Sequence, residues 1–112
     1  MSRFSKDLLK TYFEPWDNVK EAIAQMYEEN EPLRVEQMEQ SIQQYIQLLE
    51  YGGTEVNNQT GKNEYILLPL NGTERLEFIK KQIHSRYAFV QLSALFDETR
   101  KKAARLSVTN KS

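Results

Sequence analysis

The stretch from Pro69 to Leu106, PLNGTERLEFIKKQIHSRYAFVQLSALFDETRKKAARL, decides the fold class of this 112-residue chain. Asn71 stands three residues before Glu74, which is the spacing of a helix capping box with asparagine as the cap. The residues that follow carry apolar side chains at intervals of three and four. They predict a helix over residues 73–83 whose inward side consists of Leu76, Ile79 and Ile83, with Phe78 on the flank.

A second helix is predicted directly after the first, because Ser85 is a favourable capping residue. It covers residues 86–106, and its first turns are apolar on nearly every side. This composition predicts that the last helix is the central and most buried one. Its inward positions are Phe89, Leu92, Phe96, Ala103 and Leu106.

Three more helices are predicted upstream. A short helix over residues 5–13 stops at Pro15, because proline disrupts a helix interior and restricts the residue before it. A second helix follows to about Glu29. A third covers residues 32–51 with a continuous apolar stripe and ends at Gly52-Gly53, a favourable C-terminal stop. The stripe consists of Val35, Met38, Ile42, Tyr45, Ile46 and Leu49.

The segment between the two halves is polar. Residues 52–64, GGTEVNNQTGKNE, are rich in turn formers and predict a long, mobile loop. Residues 65–70 form a short apolar run that fits an extended segment against the core, with a helical turn as the alternative. The whole pattern predicts an all-α fold, a single compact bundle of about five helices over residues 1–106, with a disordered tail at 107–112.

Composition limits the class of protein. Hydrophobic residues make up 39% and charged residues 28%, which is typical of a folded, soluble domain. The chain has no cysteine, so disulfides and thiolate metal sites are excluded and a reducing compartment fits. We find no signal-peptide pattern and no apolar run long enough to span a membrane. We therefore expect a cytoplasmic protein without a membrane partner.

The net charge of −1 conceals a strong asymmetry along the chain. Residues 1–56 carry 5 Lys/Arg and 11 Asp/Glu, a net charge of −6, whereas residues 57–112 carry 10 and 5, a net charge of +5. Such asymmetry indicates either an acidic or nucleic-acid partner, or two halves that neutralise each other on folding. Both interpretations remain open from the sequence.

The C-terminal segment resembles the YpoC-like family of small proteins from Gram-positive bacteria. The likeness rests on Pro69–Ile79 and on residues 87–92 (YAFVQL), followed by Leu95-Phe96, Glu98 and Lys101-Lys102, with Pro15-Trp16 upstream. The resemblance implies a cytosolic helical domain of no established activity. It brings no catalytic residues that could be transferred to this chain.

The residues themselves offer little for catalysis. His84 is the only histidine, and a general base would need an oriented partner that the sequence does not provide. The dense carboxylates Glu28, Glu29 and Glu31 are typical of a solvated helix end rather than a metal site. No glycine spacing fits a phosphate-binding loop. We therefore predict no catalytic residues, no metal and no cofactor.

Several residues are nevertheless candidates for binding a partner. Arg75 at a helix start could hold an anion, or it could pair with a carboxylate such as one on the acidic second or third helix. Trp16 beside Pro15 could be an exposed anchor for a protein, or a core residue. The remaining candidates are His84 and the cations Arg86, Arg100, Lys101, Lys102 and Arg105.

Two functions from different classes follow. The first is a non-enzymatic module that binds another protein. The alternative is a nucleic-acid-associated accessory protein that uses the basic C-terminal helix. The start of that helix is apolar, however, whereas a recognition helix presents polar side chains to the bases from its first turns. A third hypothesis, a small enzyme built on His84 and Arg75, lacks a recognisable reaction.

Overall fold

Four helices and a short β-hairpin form the described part of the chain in this computed structural model, which covers residues 6–109 with side chains over residues 10–107. The helices are α1 (Lys6–Glu28), α2 (Leu33–Gly52), α3 (Gly72–Lys81) and α4 (Arg86–Thr109). Strands β1 (Thr54–Val56) and β2 (Asn63–Tyr65) lie between α2 and α3. The predicted helical fold class is thus confirmed in its main feature, with a small sheet added.

The predicted number of helices is wrong because Pro15 does not divide α1. Proline costs a helix interior about 3 kcal/mol, since it removes one hydrogen bond and crowds the preceding turn. Here the residues on either side of it are held by packing. Phe13 contacts Phe96 edge to face at 6.5 Å, and Trp16 stacks on the same ring at 4.6 Å. This buried aromatic contact with α4 offsets the local penalty, so one helix replaces the two that were predicted.

The predicted mobile loop contains the hairpin. Strands β1 and β2 pair antiparallel, with Thr54 opposite Tyr65 and Val56 opposite Asn63. The connecting turn is ordered by Asn57, whose side-chain oxygen accepts hydrogen bonds from the backbone of Gln59 (2.8 Å) and Thr60 (3.3 Å). Residues 52–64 are therefore a structured hairpin and turn rather than a long irregular loop.

The end of α2 confirms the stop predicted at Gly52-Gly53. Gly53 has a φ of 81°, a left-handed value that favours glycine, and its N–H donates to the carbonyl of Glu50. Gly52 meets the apolar segment that follows the hairpin, and a Cβ there would lie 2.7 Å from Leu67 Cδ1. Leu67 is fully buried and residues 65, 66 and 68 also pack against the core, whereas Leu70 is 83% exposed, so the expected contact with the core ends before Leu70.

A buried polar contact fixes the segment after the hairpin to two helices. The hydroxyl of Tyr45 on α2 shares a 2.7 Å hydrogen bond with Thr99 Oγ1 on α4, and Thr99 in turn donates to the carbonyl of Leu67. Burial raises the pKa of Tyr45 well above its usual value, and the hydrogen bond with Thr99 offsets part of that rise. The network joins α2, α4 and the 65–70 segment at the centre of the core.

The capping box predicted at Asn71 is wrong. Asn71 adopts a left-handed backbone conformation with a φ of 57°, and its side chain makes no capping hydrogen bond. Helix α3 instead begins at Gly72, whose N–H donates to the carbonyl of Pro69. The capping pattern predicted the position of the helix correctly but not the geometry of its start.

Helix α4 is longer than predicted. It continues through Thr109, so residues 107–109 of the expected tail are helical. The remaining tail residues, 110–112, and the expected helix start at Ser5 lie outside the described residues. Helix α4 packs against α1 on one side and α3 on the other, which agrees with its predicted central position.

Candidate functional site

The turn between α3 and α4 is held by one side chain from the end of α1 and one from the start of α2. Tyr27 donates a 2.5 Å hydrogen bond from its hydroxyl to the carbonyl of Ile83, and Arg34 Nε donates to the carbonyl of His84 at 3.3 Å. The guanidinium of Arg34 also lies 5.6 Å from the centre of the Tyr27 ring. These contacts fix a turn in which Ile83 packs against the core while the side chains of Gln82 and His84 are exposed.

The start of α4 orients the next residues. Ser85 accepts a 3.1 Å hydrogen bond at its Oγ from the backbone N–H of Tyr87, so the predicted serine cap is confirmed. The cap directs Arg86 and Tyr87 to the surface, where both side chains are exposed. The first turn of α4 is therefore less buried than the sequence predicts.

Three large apolar side chains are exposed on this part of the molecule. Phe78 on α3 is 41% exposed, Tyr87 is 63% exposed and Val90 is 49% exposed. The rings of Phe78 and Tyr87 contact each other edge to face, with centroids 6.0 Å apart. Val90 lies one helical turn beyond Tyr87 on the same side of α4. The three side chains form one apolar patch across two helices.

Two cations and one acid border this patch, and the acid is Glu74, one turn before Phe78. Lys81 lies one turn after Phe78, and Arg86 lies one turn before Val90, so each cation neighbours an exposed apolar residue. The stretch from Phe78 to Phe96 contains three cations and no Asp or Glu. We call the surface formed by Phe78, Lys81, Arg86, Tyr87 and Val90 the α3–α4 face. His84 is also exposed, in the turn beside it.

The α3–α4 face was only partly foreseen. The sequence pattern placed Phe78 on the flank of its helix, but it assigned residues 87–96 to the core because they are apolar on nearly every side. The structure buries Ala88, Leu92 and Leu95 and exposes Tyr87 and Val90. The signal that could have found them is their own spacing of three, which sets them on the side of α4 opposite Leu92.

Arg75 forms an ion pair within the C-terminal half. Its two terminal nitrogens donate to the two carboxylate oxygens of Glu98 at 2.8 and 2.7 Å. The hydrogen bonds from Arg75 hold the pKa of Glu98 below its usual value, and Glu98 in turn raises the pKa of Arg75. The carboxylate interpretation of Arg75 is thus confirmed, although its partner is on α4 and not on an acidic N-terminal helix. Its guanidinium is already engaged and is a poor candidate for an anion site.

The start of α3 is an equally poor place for an anion. A polar cleft of about 800 Å³ lies between the hairpin and this helix start. Its walls include the carboxylate residues Glu55, Glu64 and Glu74 and a single cation, Lys102. Three negative charges would oppose an anion more strongly than the helix terminus would attract one.

Two of the C-terminal cations bind other parts of the protein. Arg100 donates to Asp17 on α1 at 2.7 Å and lies over the ring of Phe13. Lys102 donates to the carbonyl of Leu68 at 3.2 Å. The pair formed by Arg100 and Asp17 joins the basic half of the sequence to the acidic half, so part of the charge asymmetry is neutralised within the fold. Lys101 and Arg105 lie on the exposed side of α4.

Trp16 is a core residue and not a surface anchor. It is 1% exposed and stacks almost parallel to the ring of Phe96. Its indole N–H has no hydrogen-bond partner among the described residues. The core alternative for Trp16 is therefore the one that the structure supports, and the exposed-anchor interpretation is wrong because the side chain has almost no accessible surface.

Residues 6–109 show no group of three or more acidic or histidine side chains arranged to hold a metal ion. In the same part of the chain, no helix combines the length and the apolar composition needed to cross a membrane. His84 contributes its backbone carbonyl to the contact with Arg34, while its imidazole lies at the exposed turn.

Comparison with known proteins identifies the family. The family described as YpoC-like protein matches residues 6–111, nearly the whole chain. No curated protein and no solved structure matched. The match includes all four helices and the hairpin, and it extends the likeness seen around Pro69–Lys102 to the N-terminal half. The chain belongs to the YpoC-like family.

Proposed function

We propose that this protein is a non-enzymatic module that binds another protein through the α3–α4 face. The observation that carries the proposal is the exposed contact between Phe78 and Tyr87, which continues into Val90. Scattered exposed apolar residues are normal on a soluble protein, but adjoining aromatic side chains on a rigid surface are typical of binding sites. Aromatic residues and arginine are also the residue types enriched at the centres of protein interfaces.

The α3–α4 face is already ordered in the absence of a partner. The hydrogen bonds from Tyr27 and Arg34 fix the turn, and Ser85 fixes the start of α4. A face that is already ordered loses little conformational entropy when it binds, so more of the contact energy remains as affinity. The charge of Lys81 and Arg86 further selects a partner with a negative surface.

The basic C-terminal helix supports the nucleic-acid alternative less well. Arg100 and Lys102 already contact Asp17 and the Leu68 carbonyl, so phosphate binding would have to compete with those contacts. Lys101 and Arg105 are exposed, but the electrostatic footprint that they provide is small. We therefore favour a protein partner, in a cytoplasmic setting that the cysteine-free composition permits.

A quantitative capture experiment with matched variants tests the proposal. Three baits are compared for the proteins that they capture at physiological salt. They are the purified protein, its Phe78→Ser/Val90→Ser variant and its Leu70→Ser variant. Leu70 is 83% exposed and lies at the hairpin cleft, so its substitution removes an exposed apolar residue elsewhere. A protein that the double variant loses and the Leu70 variant retains supports the α3–α4 face. A protein retained equally by all three baits, or recovery of nucleic acid alone, contradicts it.

A further inference from the structure

The α3–α4 face offers side chains to a partner but no free backbone groups along its two helices. Inside α3 and α4 the backbone N–H and C=O groups form helical hydrogen bonds, and at the start of α4 the N–H groups of Tyr87 and Ala88 donate to Ser85. A partner segment that lies on this face can therefore gain no main-chain hydrogen bonds from it. Strand addition, which depends on such bonds at a sheet edge, is excluded here.

A segment that buries apolar side chains against such a face must satisfy its own backbone. Unpaired backbone groups removed from water cost free energy, and an α-helix is the single-segment structure that pairs them internally. The apolar track on α4 also has helical spacing, since Tyr87, Val90 and half-buried Ala94 follow at intervals of three and four over about 10 Å. A partner helix with apolar residues at matching intervals would pack along this track.

Charge restricts the partner further. Lys81 and Arg86 lie one turn from Phe78 and Val90, whereas Glu74 is the one acid at that spacing, so the cations are in excess beside the patch. Two copies of this protein that joined through the same face would bring these cations together, because a two-fold interface matches each patch with itself. Like charges across an interface oppose association. A symmetric dimer through this face is therefore disfavoured, and a segment with Asp or Glu beside its apolar residues is favoured.

We infer that the occupant of the α3–α4 face is an amphipathic α-helix with acidic residues flanking its apolar side. The inference rests on the proposed function and specifies the partner. The apolar side of the helix contacts Phe78, Tyr87 and Val90, and its carboxylates lie toward Lys81 and Arg86. Helices of this kind bind through anchors spaced at three, four and seven residues.

A peptide selection tests this inference without knowledge of the natural partner. The probe is a displayed library of random peptides of about 16 residues, which is long enough for an isolated helix to form on binding. The library is selected on the full-length protein and counter-selected on the Phe78→Ser/Val90→Ser variant, so that only binders of the α3–α4 face survive. We expect enriched sequences with apolar residues at intervals of three and four and with Asp or Glu between them.

The synthetic consensus peptide provides the second measurement. Its circular dichroism spectrum should gain helix when it binds, and its affinity should fall about tenfold with Phe78→Ser, which corresponds to the loss of one anchor residue. Lys81→Glu with Arg86→Glu should weaken binding, more strongly at low salt than at high salt. Leu70→Ser is the control and should change neither result.

The possible failures separate the two claims. Face-dependent binders with alternating apolar residues, or with Lys and Arg in place of acids, would overturn the acidic-helix inference and leave the binding face intact. A consensus peptide that binds without gaining helix would also overturn the acidic-helix inference while leaving the binding face intact. A library that yields no peptide sensitive to Phe78→Ser/Val90→Ser would overturn the proposed function along with the inference.

Discussion

Phe78 at the end of α3 and Tyr87 at the start of α4 contact each other edge to face across the turn that separates them, and both rings remain open to solvent. The turn between the two rings is fixed by hydrogen bonds that Tyr27 and Arg34 donate to the carbonyls of Ile83 and His84. An aromatic pair on a fixed turn contributes little to the core. Its exposure is better explained by binding than by folding.

The first prediction concerns stability. Tyr87→Ser and Val90→Ser should each change the free energy of unfolding by less than about 1 kcal/mol, because the two side chains are 63% and 49% exposed. Phe96→Ala should cost about 3–5 kcal/mol, since Phe96 is fully buried beneath Trp16. Urea unfolding measures all three variants. A large loss of stability from Tyr87→Ser would contradict the assignment of this residue to binding.

The second prediction concerns the buried network around Thr99. Thr99→Val keeps the shape of the side chain but leaves the hydroxyl of Tyr45 and the carbonyl of Leu67 without this partner. It should destabilise the protein by about 1–3 kcal/mol. Adding Tyr45→Phe removes one of the two unpaired groups, so the double variant should lose less than the sum of the single changes. Strictly additive losses in urea unfolding would show that the network is not coupled.

The sequence predicted the helical segments well where apolar periodicity and stop signals agreed. Gly52-Gly53 ends α2 and Ser85 caps α4, as local chemistry requires. The prediction of a helix end at Pro15 failed, because the local penalty of proline was outweighed by the packing of Phe13 and Trp16 on Phe96. That packing partner lies about eighty residues away in the sequence, and local patterns carry no information about such contacts.

The hairpin and the exposure of the α3–α4 face were missed for related reasons. Strands β1 and β2 have only three residues each, too few for an alternating pattern to be distinguished from a loop. The exposure of Tyr87 and Val90 depends on which side of α4 receives α1 and α3, and a helix that is apolar nearly all round does not specify this. The basic residues were correctly located along the chain, but the pairing of Arg100 with Asp17 required the tertiary structure.

The third prediction concerns the ion pair between Arg75 and Glu98. The pKa of Glu98 is held low in the folded state by the hydrogen bonds from Arg75, so the stability that the pair provides is present above the unfolded pKa and is lost as the pH falls through the folded pKa. Because the pair is partly exposed, Glu98→Gln should cost no more than about 1 kcal/mol at neutral pH.

Unfolding measured at neutral and at acidic pH checks this prediction, with Asp97→Asn as the neighbouring control. The difference in stability between wild type and Glu98→Gln should shrink at acidic pH, where Glu98 is protonated in both states. A difference that stays constant across the acidic range would show that the effect of Glu98→Gln is not electrostatic.

The fourth prediction concerns Tyr27 under the turn. Burial raises the pKa of Tyr27 to about 12 from 10.0, and the charge of Arg34 offsets part of the shift. Between these values the unfolded state has lost the phenol proton while the folded state keeps it, so the free energy of unfolding falls as the pH rises. Tyr27→Phe should make this fall shallower, and Tyr87→Phe, at an exposed position, is the control. An equally steep fall in Tyr27→Phe, measured by urea unfolding across alkaline pH, would contradict the buried state of Tyr27.

The most direct test of the α3–α4 face is photo-cross-linking in living cells that make the protein. A photoreactive phenylalanine derivative is introduced in place of Tyr87, and in a separate variant in place of Val56, which is comparably exposed on the hairpin. The account predicts a protein adduct from position 87 that is absent from position 56 and disappears when Phe78→Ser/Val90→Ser is added. Equal adducts from both positions, an adduct to nucleic acid, or none at position 87 would contradict it.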